Sequence, residues 1–143
     1  SSGDVSLSFT EALNSTNYYY QIFHRNSIET WNSTPNMFSN FTSNYDFSTS
    51  SVKAYGNNLV LKAGRWCLFN GDVNQDGLIN DFDLNLVFLN NYSGITGYTP
   101  TDLNGDLFIE AEDLTIVMTN YLRGVVRKRP PGFQLDKNGS IKK

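Results

Sequence analysis

The feature that most constrains this chain is a duplication: residues 72–91 recur at 102–121, an offset of thirty residues. Asp72 aligns with Asp102, Asn74 with Asn104, Asp76 with Asp106, Ile79 with Ile109, Asp83 with Asp113, Leu84 with Leu114, Val87 with Val117 and Asn90 with Asn120. Such a repeat is one supersecondary unit used twice, because each copy carries an apolar face it cannot bury alone. In both copies acidic and amide residues come first, at alternate positions, and apolar residues follow at helical spacing. Leu84, Val87 and Phe88 fall on one helix face, and Leu114, Val117, Met118 and Tyr121 on another, so the two helices are expected to pack together. The connector 93–101 holds Gly94, Gly97 and Pro100, which is turn chemistry.

The acidic half of each copy reads as a calcium loop of the EF-hand type. Such a loop wraps an ion with side-chain oxygens from positions 1, 3 and 5, a backbone carbonyl from position 7 and a carboxylate from position 12. In 72–83 these are Asp72, Asn74, Asp76, the carbonyl of Leu78, and Asp83; in 102–113 they are Asp102, Asn104, Asp106, the carbonyl of Phe108, and Asp113. Hard oxygen donors in this number favour Ca²⁺ over Mg²⁺, which keeps most of its water. Aspartate at position 12 is shorter than the usual glutamate, so each helix must begin close to the ion. Position 6 turns sharply, and Gly77 suits it, whereas Leu107 stands there in the second copy. A left-handed backbone costs a non-glycine residue about 1–2 kcal/mol, which predicts a weaker second site. Ile79 and Ile109, at position 8, are expected to pair across the two loops.

Residues 1–70 have another texture. Aromatic residues make up 14% of the chain, and Asn, Ser and Thr fill much of this half. Apolar alternation at 5–9 and β-prone runs at 18–23, 58–62 and 66–69 predict a small all-β, sandwich-like domain. The fold class expected is therefore α+β: a β domain over 1–70, the paired loop–helix units over 71–125, and a basic tail over 126–143. From Arg123 onward seven basic residues face one acidic residue, against four basic and thirteen acidic before it. An acidic body repels phosphate, so nucleic acid is not an expected partner. No apolar run reaches the ~20 residues a membrane helix needs, so membrane insertion is not expected either. The chain has one cysteine, Cys67, expected to pack as a small hydrophobe, and one histidine, His24, expected to be structural. No nucleophile elbow accompanies His24, so the chain reads as no enzyme.

A duplicated loop–helix unit without an entering helix resembles the type I dockerin domain of bacterial secreted proteins, on the runs 71–90 and 101–120. The run His24-Arg25-Asn26-Ser27-Ile28-Glu29-Thr30-Trp31, with Tyr45-Asp46-Phe47, Lys53-Ala54-Tyr55-Gly56 and the lead-in Gly71-Asp72-Val73-Asn74-Gln75-Asp76-Gly77, resembles a C-terminal module of secreted proteins of the Bacteroidetes and Ignavibacteria group. The first resemblance implies two calcium sites and a protein partner. Where dockerins contact cohesin, often through Ser or Thr, this chain has Asp81-Phe82 and Ala111-Glu112, so the calcium ligands carry over and the binding specificity does not. The expected function is a non-catalytic, calcium-stabilised module of an extracellular or cell-surface protein, used in attachment or assembly with another protein. Self-assembly of a filament or layer is a second possibility, and carbohydrate binding by stacked Tyr and Trp a third.

Overall fold

The computed structural model describes residues 5–133. The architecture is mixed α+β, with six short strands and two helices. Strand β1 (Asn17–Tyr18) pairs with β4 (Asn36–Met37), β2 (Gln21–His24) with β3 (Ser27–Trp31), and β5 (Val60–Lys62) with β6 (Arg65–Cys67), each antiparallel. These are three separate two-stranded ribbons rather than two stacked sheets, so the expected sandwich is not what the described residues form. The reason lies in the Asn-rich composition. The Asn32 amide takes the Tyr20 N–H at 2.6 Å and donates to the Thr34 carbonyl at 2.7 Å. The Asn36 amide donates to Ser43 Oγ at 2.8 Å and to the Asn44 carbonyl at 3.1 Å. Side-chain amides thus satisfy groups that a longer ladder would use, and they hold short irregular segments in place.

Helices α1 (Asp81–Tyr92) and α2 (Ala111–Leu122) follow the two loops and pack against each other. At each N-terminus the position-12 aspartate reaches back to the capping residue: Asn80 N–H donates to Asp83 Oδ2 and Glu110 N–H to Asp113 Oδ2, both at 3.0 Å. One carboxylate therefore closes the loop and caps the helix. Both helices end at a glycine of positive φ, Gly94 and Gly124, with the next residue bonding back to Asn90 or Asn120. Val87 and Val117 are fully buried; Phe88, Met118 and Tyr121, expected on the inner faces, are exposed.

After each helix the chain turns back to the other copy's loop. Gly97 N–H donates to the Leu107 carbonyl at 2.6 Å, and thirty residues later Arg127 N–H donates to the Gly77 carbonyl at 2.9 Å. Thr96 bridges Phe108, and Val126 bridges Leu78. The expected backbone pairing of Ile79 with Ile109 is thus replaced by pairing of each loop with the segment leaving the opposite helix. The two isoleucines meet only as side chains, in a core with Ile28, Val73, Val87, Leu103, Val117 and Val125.

Ile28 comes from β3, so this core crosses the division expected at residue 70. Every residue of β3 is buried. The first part of the expected tail also lies on the body: Glu29 forms an ion pair with Arg129, Phe133 packs on Trp31 and Tyr19, and Pro130 is buried. The part of the expected basic tail that lies within 126–133 is thus packed on the body rather than separate from it. Backbone bonds and a buried acidic partner outweigh the like charge of Arg127, Lys128 and Arg129. The remaining tail, 134–143, lies outside the described residues. None of the helices among the described residues is long and apolar enough to cross a membrane.

Candidate metal centre

The loop 72–83 closes on itself through its own side chains. Asn74 Oδ1 accepts the Asp76 N–H at 2.9 Å, and Asp76 Oδ1 accepts the Leu78 N–H at 2.9 Å. Asp72 Oδ2 accepts the Gly77 N–H at 3.1 Å, and Asp83 Oδ1 accepts from Val73 at 2.9 Å and Asn74 at 3.3 Å. Successive Asx turns of this kind curl the backbone, and Asp83 is brought back against the start of the loop at residues 73 and 74. Leu78 and Val126 are a pair whose flanking residues make the cross-strand bonds, so the N–H and carbonyl of Leu78 point to the loop side.

Two carboxylates in this loop sit in water-poor surroundings. Asp72 is 2% exposed and Asp83 fully buried. Asp72 Oδ1 is buried with no hydrogen-bond partner among the described residues. Burial, reinforced by Asp83 nearby, raises the Asp72 pKa to about 6, and burial raises that of Asp83 as well. An unpartnered carboxylate oxygen beside a second buried carboxylate is costly unless a cation meets it. Hard and anionic, these oxygens are donors of the kind calcium prefers.

The loop 102–113 repeats the pattern. Asp102 and Asp113 are fully buried. Asp113 Oδ1 accepts from Leu103 at 2.7 Å and Asn104 at 3.1 Å, while Asn104 and Asp106 accept from Asp106 and Phe108 at 3.0 and 2.9 Å. Here both Asp102 oxygens have backbone donors, Gly105 at 2.7 Å and Leu107 at 3.3 Å. On the outer rim, Asp106, Glu110 and Glu112 each bring a carboxylate oxygen within 4.8 Å of the others, and all three are exposed. This trio could hold a metal ion. Asp106 is among the ligands expected from the loop spacing, and Glu110 and Glu112 are not. Glu110 stands at loop position 9, which often reaches an ion through water, whereas Glu112 stands at position 11, which has no such role.

The side chains set aside as structural fall as follows. His24 Nδ1 lies 3.0 Å from Asn26 Oδ1 and 3.1 Å from Ser27 Oγ, which anchors the ring to the β2–β3 turn. Cys67 is exposed, against the expectation that it packs inside, because β5–β6 is a lone ribbon that does not cover it. Trp31 is 2% exposed beneath Phe133, and its indole N–H donates to Glu29, so it offers no face to a sugar ring. No protein-family model, curated protein or solved structure matches the chain. The site is therefore judged on its own geometry.

Proposed function

We propose that this chain is a non-catalytic calcium-binding module that serves protein–protein attachment or assembly at a cell surface or outside the cell. The observation that carries the reading is the buried, unpartnered Asp72 Oδ1 in a loop already curled by its own Asx turns. In this reading Asp72, Asn74, Asp76, Asp83 and the Leu78 carbonyl hold one ion. Asp102, Asn104, Asp106, Asp113 and the Phe108 carbonyl hold a second, with Glu110 and Glu112 at its rim. The ion would supply the positive charge that lets the buried carboxylates lie together, and it would tie each loop to its helix. Modest oxygen sites of this type fill where calcium is plentiful, which argues for an extracellular setting. Attachment is supported by Phe82, Leu86, Phe88, Leu89 and Tyr92, five large apolar side chains left exposed along α1.

Calorimetric titration of calcium into chelator-treated protein, with thermal unfolding in calcium and in EDTA, tests the reading. Two binding events are expected, with stabilisation of about 2.7 kcal/mol when calcium is a hundredfold above Kd. Asp72→Ala combined with Asp83→Ala should remove one event. Identical melting curves in calcium and EDTA would rule the reading out.

A further inference from the structure

Arg25 in the β2–β3 turn reaches the beginning of the second loop. One terminal guanidinium nitrogen donates to the carbonyls of Thr99 at 2.7 Å and Asp102 at 2.8 Å. The other lies 3.7 Å from Asp102 Oδ2, and the group stacks 4.0 Å above the Tyr98 ring. The neighbouring Asn26 amide adds a bond to the Asp102 carbonyl at 2.8 Å. A cation is therefore fixed against loop position 1 by four separate contacts, and Asp102 beside it is fully buried.

The first loop has no such partner. There the Asp72 carbonyl is met by the neutral Gln75 amide at 2.6 Å. Arg127 crosses Gly77, but the ion pairs among the described residues are Arg25–Asp102 and Arg129–Glu29 alone. The asymmetry follows the charge. The second loop, with Glu110 and Glu112 added to its aspartates, is the more acidic one, and it is the one given a guanidinium.

We propose that Arg25 is the resident counterion of the second loop: it holds that loop in shape before metal binds and opposes the entry of a divalent cation. The two loops consequently fill at different calcium concentrations, the first before the second. This inference rests on the calcium reading above and specifies how the two sites are ranked.

The test is calcium calorimetry on the full chain. Each loop is isolated in turn by Asp83→Ala or Asp113→Ala, in the parent and with Arg25→Gln added. Removing the charge should tighten the second loop about tenfold, a conservative size for a unit charge near a divalent ion. It should leave the first loop within about twofold and lower the melting temperature in EDTA. Arg25→Lys, which keeps charge but loses the planar fork, should resemble the parent in affinity more than Arg25→Gln does. Unchanged or weaker second-loop affinity in Arg25→Gln overturns the inference. If Arg25→Gln does not fold, the order of filling in the parent decides, and a second loop that fills first overturns it. Calcium taken up by neither loop would instead overturn the calcium reading itself.

Discussion

Leu107 shows how one side chain is accommodated where the sequence suggested a defect. It has φ 75°, as position 6 requires, but the first loop has its own non-glycine in the same region, Gln75 with φ 61° at position 4. At that position the second loop has Gly105. Each loop therefore carries one glycine and one strained residue, and strain alone does not rank the two sites. Space is exchanged as well. A Cβ on Gly77 would overlap the Arg127 side chain, whereas Gly97, which pairs with Leu107, has open space around it. Leu107→Gly should stabilise the protein by roughly 1 kcal/mol in chemical denaturation, by relieving the backbone. Gly77→Leu should destabilise it, and Arg127→Gly on top should recover part of the loss. Asp72 makes a prediction in pH. Its folded pKa of about 6 lies above the ordinary aspartate value of 3.8, so the folded state takes up a proton first as pH falls. In EDTA, stability should rise between about pH 7 and pH 5, because ∂ΔG/∂pH is negative where the native state binds more protons. In calcium the gain should vanish, since the proton and the ion compete for one carboxylate. Melting temperatures at both pH values, in both media, give the answer.

The element that departs most from expectation is the segment 126–133, which acts as a strap across both halves. Val126 and Arg127 continue the duplication, pairing with the first loop as Thr96 and Gly97 pair with the second. Beyond them Arg129 reaches Glu29, 4% exposed, through two guanidinium bonds. Burial alone would raise the Glu29 pKa, but Arg129 and the Trp31 indole outweigh it and hold it below the usual carboxylate range. Removing one member of a buried pair leaves the other charge uncompensated, so Arg129→Met or Glu29→Gln should cost on the order of 3–5 kcal/mol. The double variant should cost less than the sum of the two, and a double-mutant cycle by urea denaturation measures the difference. Deleting 127–143 should therefore lower stability, in contrast to what a free basic tail implies. Deleting 134–143 alone should leave every described contact in place and the melting temperature near that of the full chain.

At the scale of the molecule, the loop–helix pair and the region before it share one core. Ile28 N–H donates to the Phe69 carbonyl, Gly71 N–H to the Asn26 carbonyl, and the Asn120 amide to the Asn70 carbonyl. A fragment of residues 71–133 lacks Ile28, Asn26 and Arg25, so circular dichroism should show it less helical than the same residues in the full chain, even in calcium. Equal helicity and equal melting would mean that the paired units are independent after all. Much of the second half was legible in the sequence because its signals are local. Alternating Asp and Asn residues, an aspartate three residues into each helix and apolar residues at helical intervals all act within one turn of the chain, and an offset of thirty residues printed them twice. Local pattern also indicated an α+β chain. Tertiary structure alone decided the rest. Which segment pairs with which loop, that Arg25 lies against Asp102 across 77 residues, and that Glu29 finds Arg129 across 100 depend on closing long loops. Such contacts carry no periodicity, because they are selected by which buried groups still lack a partner once the local elements have formed.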